Sequence, residues 1–507
     1  MMSDNKKRKL NEALFFVLVF LFMFVFFSVI HPVTLLDADD WTYISFSRAI
    51  LPSTKFFNPA RIFPEVFMSF CGSIAAFVIT PVTGQYMKAV TAVMAAAYSL
   101  FIAAYALEMV LFLRSRFRIP AIAEYFLSLI FLVFHFMFFR TSPSGNTYLF
   151  WSKDATCYFY YNIPILMNCI LVMRFMRKNI PDFSSEGEYL RKSLFILLVY
   201  FSVFSNLYAS IIIAGYLASV LVLRLVKCIR EKIPAVRFLK DNAVELLIEL
   251  LWIVSAVFEL CGDRAEAAVI EDSAVGNIGL MLPEALSAFF GSLRSANKIL
   301  LLFLFAAVFL AVLCLILRRN KKEDDSCRYV SMILECAVSF IVVSVLLILL
   351  AAASSARYAG ISTNLLAVLF FVFLAAVSSL ACAAEHFSSI SVFLPFIFCL
   401  LVSLTNTSYV TFLDSNDILV DGDRCIEIGE DLIAQFQAAE KEGLTEFDLH
   451  VLDTKGGEDS DNWPHTYYMK DRISLTLNKH GLVSEYIECT VCPDESFNEK
   501  HGIHCWD

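Results

Sequence analysis

The sequence predicts an all-α polytopic membrane protein with about eleven transmembrane helices and a small C-terminal α/β domain outside the membrane. Of its 507 residues, 58% are hydrophobic and only 18% are charged, too few charges to cover the surface of a soluble protein of this length. Several apolar runs reach the roughly 18 residues that cross a bilayer. Lys and Arg cluster in short loops between these runs, and this distribution indicates the orientation of the chain.

The first apolar run covers residues 13–30 and follows a basic segment at residues 6–9. The run is long for a cleaved signal peptide, and no small-residue cleavage site precedes His31. We therefore expect an uncleaved first span. The N-terminus is expected in the cytoplasm, because basic flanks remain on that side.

Two further apolar segments do not fit a simple span. Residues 64–80 are expected to form an interfacial or re-entrant element, because a crossing there would place the basic residues at 114–118 outside. Residues 193–226 are too long for one ordinary span. A hairpin of two short helices that turns near Ser205 and Asn206 keeps the following basic residues inside, and such short helices usually surround a cavity.

The remaining spans follow from apolar length and from the positions of basic residues. They are expected at 89–113, 119–139, 158–173, 243–260, 299–317, 329–353, 363–384 and 390–408. Segment 261–298 is expected to be an external loop. The result is a transmembrane domain over 1–409 with an extracytoplasmic loop at 31–88, and an extracytoplasmic α/β tail over 410–507. The chain is thus predicted to be a multi-pass protein of the cell membrane.

The sharpest candidate site lies just after the first span. Asp37, Asp39 and Asp40 are followed by Trp41, and three carboxylates at an interface can bind a cation, or one can act as a base. The alternative is a solvated acidic cap beside an aromatic belt. Arg61 in the same loop is suited to holding a phosphate.

Two later external loops carry further candidates. Trp151, Lys153 and Asn162 suit a sugar-phosphate pocket, and they equally suit an aromatic girdle at the interface. Arg357 and Tyr358 lie between two spans, where the arginine either caps a helix end or neutralises an anionic headgroup.

Other features indicate less about function. Glu245, Glu249 and Glu259 are acids within an apolar span, but all three can reach an interface. Cys489 and Cys492, with Cys505, have a spacing that suits zinc, although a disulfide is the usual outcome outside the cytoplasm. The net charge of −9 gives no indication of nucleic-acid binding, and no Gly-rich phosphate loop is present.

The segments Asp39–Trp41 and Asn58–Arg61 together resemble the GT-C superfamily of membrane glycosyltransferases, above all the bacterial O-antigen glucosyltransferase type. Members carry an Asp-Asp-aromatic motif after the first span and a Gly-Arg pair downstream; here Ala60 replaces that glycine. Further likeness lies in three short motifs, which are residues 151–162, 355–358 and 461–468.

This resemblance implies transfer of a sugar from a polyprenyl-phosphate donor to a cell-envelope glycan or lipid acceptor. Asp40, and after it Asp39, is the expected base. The lipid phosphate would be held by Arg61, Lys153 or Arg357, or by a divalent metal. Trp151, Asn162 and Tyr358 complete the expected substrate-binding set. The alternative is a transporter or flippase for a lipid-linked glycan, which explains the many spans equally well.

Overall fold

The computed structural model describes residues 4–46, 48–50, 57–139, 150, 155–178, 180–183, 186–260, 274–317, 323–387, 389–405, 420, 422–455 and 464–503. Up to residue 405 the regular secondary structure of the described chain consists of helices. The α-helices are Asp4–Val25, Ala38–Tyr43, Ile62–Ile74, Thr80–Thr83, Tyr86–Arg116, Ala121–Met137, Ala155–Cys157, Ile163–Met176, Tyr189–Val203, Leu207–Arg230, Ala235–Asp241, Ala243–Leu260, Ala274–Arg294, Lys298–Leu317, Glu323–Ala353, Ser362–His386 and Ile390–Thr405. Wider π-helical turns extend three of them at Phe26–Ile30, Ala75–Ile79 and Tyr158–Asn162, and a 3₁₀ turn covers Ala356–Ala359.

Within the described residues, eight helices are long and apolar enough to cross a membrane, as expected for an all-α polytopic protein. Two of them, within Ala155–Met176 and Ala356–His386, form the centre of the bundle, because 89% of an apolar stretch of 18 residues in each is buried. Ala121–Met137 and Ile390–Leu404 are apolar but shorter. The number of about eleven spans therefore remains a prediction.

The helix bundle has two distinct ends. At one end, here called the N-terminal face, Arg114 forms ion pairs with Glu12 of the first helix and with Glu124. Arg177 pairs there with Glu108, which precedes Arg114 on the same helix. The opposite end, here called the loop face, carries the short helix Ala38–Tyr43. Basic residues thus gather at the N-terminal face, in keeping with the prediction that the 114–118 cluster shares a side with the N-terminus.

Ile62–Thr83 is apolar enough to cross a membrane, but both of its ends lie at the loop face. The Arg61 side chain that precedes it pairs with Glu259, and the next helix begins at Tyr86, whose hydroxyl contacts His480. In the second half of the segment, the Phe77 ring lies 6.1 Å from the His480 ring. These contacts place the segment against the loop face, and its interfacial or re-entrant position in a membrane stays a prediction.

Residues 193–226 form the predicted hairpin. Its helices are Tyr189–Val203 and Leu207–Arg230, and Asn206 caps the second through a hydrogen bond from the Tyr208 amide. The prediction of two short helices is correct for the first, with 15 residues, and wrong for the second, which has 24 residues because it continues past the apolar run to Arg230.

Within the predicted external loop 261–298, residues 274–294 form a helix of 21 residues that the sequence analysis does not predict, and the external position of this segment stays a prediction. Pro283 and several glycines interrupt its apolar pattern, so the helix is difficult to predict from the sequence. Buried or half-buried positions recur at helical spacing, however, at Asn277, Ala285 and Phe289. The Asn277 amide donates to the carbonyls of residues 352 and 353, and the Ser292 hydroxyl donates to the carbonyl of Gly360, so both ends of the helix contact the same connection between two long helices.

The C-terminal unit, defined as residues 422–455 and 464–503, combines helices and strands. Its helices are Gly422–Glu442, Lys470–Lys479 and Glu495–Lys500, with a 3₁₀ turn at Thr466–Tyr468, and its strands Glu446–Leu452 and Glu488–Asp494 pair in parallel. The unit thus contains both helices and strands, while its position outside the membrane stays a prediction. The predicted boundary at residue 410 lies outside the described residues.

Candidate functional site

The short acidic helix Ala38–Tyr43 is shaped by its own carboxylates. Asp37 is the N-cap and accepts a hydrogen bond from the Asp39 amide at 3.1 Å. Asp40 completes a capping box by accepting from the Asp37 amide at 3.2 Å. Because Asp37 and Asp40 turn toward the helix backbone, Asp39 is left to face outward.

Asp40 has a structural role. It is fully buried, and its Oδ1 accepts from the amide and the hydroxyl of Thr156, both at 2.7 Å. Its Oδ2 accepts from the amides of Leu36 and Asp37. These four hydrogen bonds make the Asp40 carboxylate a strong link between two segments of the chain. The sequence analysis names Asp40 as the first candidate for the base and Asp39 as the second, but the burial of Asp40 favours Asp39 as the first candidate.

Asp39 lies on the wall of a cavity of about 260 Å³ at the loop face. The wall is rich in tyrosine: Tyr43, Tyr160, Tyr161, Tyr208 and Tyr358. The charged lining residues are Asp39, Arg61 and Glu259. The remaining lining residues are Thr156, Cys157, Asn206, Leu207, Leu260, Leu350 and Ser354. The cavity is assembled from the acidic helix, the hairpin turn and the ends of several long helices.

Arg61 forms a two-point ion pair with Glu259 across this cavity wall. Its Nε and Nη2 atoms donate to the two carboxylate oxygens, both at 2.8 Å. Its backbone is left-handed, with φ of 58° and ψ of 21°, at the start of the helix Ile62–Ile74. Because the ion pair uses Nε and Nη2, the Nη1 atom of Arg61 can still donate to an anionic group. The charge of Glu259 nevertheless neutralises the charge of Arg61.

Tyr358 and Arg357 are placed differently. Tyr358 lines the cavity and packs against Tyr208, with ring centroids 5.5 Å apart. The Tyr208 hydroxyl is 2.7 Å from the hydroxyl of Ser354. Arg357 is exposed, with its guanidinium 5.7 Å from the Tyr358 ring centroid, and it does not line the cavity. The expectation that Arg357 shares the cavity wall with the acids is therefore not met.

The other predicted site residues are less informative. Asn162 is fully buried at the end of the turn Tyr158–Asn162 and does not line the cavity. Trp151, Lys153 and the motif at 461–463 lie outside the described residues.

The C-terminal unit is bound to the acidic helix by a series of side-chain contacts. Arg472 donates to Oδ1 of Asp39 at 2.8 Å, and His465 contacts Oδ1 of Asp37 at 2.9 Å. Thr476 contacts the hydroxyl of Ser45 at 2.6 Å. Burial raises the pKa of Asp37, but the hydrogen bonds from His465 outweigh it and hold that pKa below its ordinary value.

Sequence reasoning missed two charged residues of this site. Glu259 was assigned to a helix end at an interface, and Arg472 was not singled out. Both contacts bridge long stretches of chain, 198 residues for Arg61 with Glu259 and 433 for Asp39 with Arg472. No local pattern predicts pairs of that separation, although an acid at the end of an apolar span was a usable signal for Glu259.

A divalent metal does not fit the donors seen here. Within the described residues, no group of three or more His, Cys, Asp or Glu side chains is arranged to hold one. Asp39 and Glu259 each face an arginine, and Asp40 is enclosed by hydrogen-bond donors. Cys489 and Cys492 are free thiols, and Cys505 lies outside the described residues. We therefore derive no step through a metal.

Comparison of the chain with known protein families, with curated proteins and with solved structures finds no match. The resemblance to the GT-C superfamily accordingly rests on the short motifs given above.

Proposed function

We propose that the protein is a membrane glycosyltransferase that moves a sugar from a polyprenyl-phosphate donor to a cell-envelope glycan or lipid acceptor. The observation that carries the proposal is the position of Asp39. This carboxylate comes from the motif that resembles GT-C enzymes, and it faces a cavity that also contains Arg61 and five tyrosines.

The cavity lining suits a sugar that carries a phosphate. Ligand pockets are typically roughly 300–1,000 Å³, mostly aromatic or apolar, with few polar groups that fix orientation. At about 260 Å³, this cavity is slightly smaller than that range. Tyrosines offer flat faces to a sugar ring and hydroxyls to its oxygens. Leu207, Leu260 and Leu350 add an apolar part that suits the beginning of a lipid chain.

Asp39 is our proposed base, ahead of Asp40. Its Oδ1 accepts from Arg472, while Oδ2 has no partner within the described part of the chain. In the proposed step, Oδ2 takes the proton of the acceptor hydroxyl as that oxygen bonds to the anomeric carbon. The bond from this carbon to the donor phosphate oxygen breaks, and its electron pair leaves with the phosphate. Nη1 of Arg61 is placed to stabilise the departing charge.

The proposed orientation puts this cavity at the extracytoplasmic side. Basic side chains at the N-terminal face, such as Arg114 and Arg177, support a cytoplasmic position for that end. The loop face, with the acidic helix and the C-terminal unit, would then lie outside. A donor in the outer leaflet would reach the cavity from the bilayer, and an acceptor from the cell envelope.

The test is sugar transfer in proteoliposomes that contain the purified full-length protein and radiolabelled polyprenyl-phosphate sugars. We expect Asp39→Asn to reduce kcat by roughly 100- to 10,000-fold, the usual contribution of a general base. Asp241→Asn is the matched control, because Asp241 is an exposed acid that pairs with Arg237 within a separate helix, Ala235–Asp241.

Two outcomes would contradict the proposal. Full activity of Asp39→Asn would remove the base assignment. Wild-type protein that moves lipid-linked glycan across the bilayer, with no transfer from any donor tested, would favour the flippase instead. Asp39→Asn protein must show the same thermal unfolding as wild type before its activity is interpreted.

A further inference from the structure

We propose that Arg472 of the C-terminal unit is a positioning residue for Asp39, so that this unit completes the active site. This inference rests on the proposed function. Arg472 lies on the helix Lys470–Lys479, far along the chain from the transmembrane helices, and its Nη1 donates to Oδ1 of Asp39 at 2.8 Å.

Asp39 needs an external partner because its neighbours are already engaged. Asp37 is held by His465, and Asp40 is held by Thr156 and by backbone amides. The side chain of Asp39 is 49% exposed, and within the described residues Arg472 is its hydrogen-bond partner. Without that contact, the Asp39 side chain would sample several rotamers at the cavity mouth.

Arg472 is itself held in place. Its guanidinium carbon lies 5.6 Å from the centroid of the Tyr468 ring, and this cation–π contact holds the guanidinium group in position. The helix that carries it is anchored by Thr476, which also donates to the carbonyl of Trp41. Asp39 therefore meets a donor whose position is set from two directions.

The contact with Arg472 gives the two carboxylate oxygens of Asp39 different roles. Oδ1 accepts from Arg472, and Oδ2 is directed to the proton of the acceptor hydroxyl. A single hydrogen bond to one oxygen orients the carboxylate and leaves the other available as a base. A catalytic group held within about 0.5 Å of its productive position transfers protons efficiently, and looser support reduces that efficiency.

The experiment compares Arg472→Gln and Arg472→Lys with wild type in the transfer assay. We expect Arg472→Gln to lower kcat by roughly 10- to 100-fold, the effect of a misplaced reacting group, with the KM for donor unchanged. Arg472→Lys should recover part of kcat, because its ammonium also reaches a carboxylate. The matched control is Arg424→Gln, an arginine of the same unit that pairs with Glu427 at 2.8 Å.

A second measurement needs no turnover. Carbodiimide-promoted coupling of an amine to carboxylates, located by peptide mass spectrometry, should modify Asp39 several-fold faster in Arg472→Gln than in wild type. The exposed Asp423 should react equally in both proteins. Equal rates at Asp39 would overturn the inference, because they would show that Arg472 does not hold this carboxylate.

The remaining outcomes separate this inference from the proposed function. If Arg472→Gln retains full kcat while Asp39→Asn is inactive, the positioning role is wrong and the glycosyltransferase proposal stands. If KM for donor rises with kcat unchanged, Arg472 binds substrate and does not position the base. If wild type transfers no sugar, the proposed function and the role of Arg472 in it both fail, whatever the labelling shows.

Discussion

Arg61 and Glu259 form a two-point ion pair on the cavity wall, with both nitrogen-to-oxygen distances at 2.8 Å. Arg61 immediately precedes the helix Ile62–Ile74 and Glu259 lies near the end of the helix Ala243–Leu260, so the pair links these two helices at the cavity wall. The two side chains are only 24% and 12% exposed, and removal of either charge leaves the other poorly solvated.

We therefore expect Glu259→Gln to lower the free energy of unfolding by roughly 2–4 kcal/mol, somewhat less than the about 3–5 kcal/mol for breaking a fully buried pair, because both side chains are partly exposed. The double variant Arg61→Gln with Glu259→Gln should recover much of that loss, because no unpaired charge remains. Thermal unfolding in detergent measures both. If the proposed phosphate role of Arg61 is correct, the double variant stays inactive in transfer despite its recovered stability; an active double variant would remove that role.

Substitution of Asp40 should destabilise the folded protein more than substitution of Asp39. Asp40→Asn disrupts a buried carboxylate with four donors, and we expect a loss of roughly 1–3 kcal/mol in unfolding free energy. Asp39→Asn, at a half-exposed side chain, should leave unfolding almost unchanged. The same unfolding assay compares the two. Equal destabilisation by both substitutions would contradict the structural role given to Asp40.

Docking of the C-terminal unit should weaken in acid through His480. Burial, with a smaller effect of Lys479, lowers the pKa of His480 from 6.5 to about 4. The folded state thus disfavours the charged imidazole, so stability is fully present above pH 6.5 and falls as the pH drops toward 4, by up to about 3 kcal/mol. Asp37, with its lowered pKa, loses its contribution only at lower pH, below the ordinary range of an aspartate.

The measurement is the unfolding temperature of wild type and of His480→Gln between pH 7 and 4. Gln can still contact the Tyr86 hydroxyl, which lies 2.7 Å from Nδ1 of His480, but it does not titrate. We expect the advantage of wild type over the variant to shrink as the pH falls. Parallel curves for the two proteins would show that His480 does not carry this dependence.

The two faces of the bundle should lie on opposite sides of the membrane. A reporter that is active only outside the cytoplasm, fused after Arg116 or after His450, should be active only in the second fusion. A reporter that fluoresces only in the cytoplasm should give the reverse pattern. Activity of the same reporter at both positions would contradict the proposed orientation.

Much of the fold was predictable because it depends on local properties. Apolar length placed the first helix and the hairpin at residues 193–226, whereas the interfacial position of 64–80 stays a prediction from the spacing of basic residues. The helix Ala274–Arg294 was missed because its apolar residues are interrupted by Pro283 and by glycines. Its helical form is supported by packing against distant segments, such as the carbonyls that Asn277 contacts.

By itself, the amino-acid sequence determined the apolar helices, the gathering of basic residues at one face and the capping box of Asp37 with Asp40, since hydrophobicity and short-range hydrogen bonds act between neighbours in the chain. Only the tertiary structure decided that Asp39 faces the cavity, that Glu259 neutralises Arg61 and that Arg472 reaches Asp39. Those contacts join residues that are hundreds of positions apart. Their partners are chosen by packing and burial across the whole molecule, which no local pattern encodes.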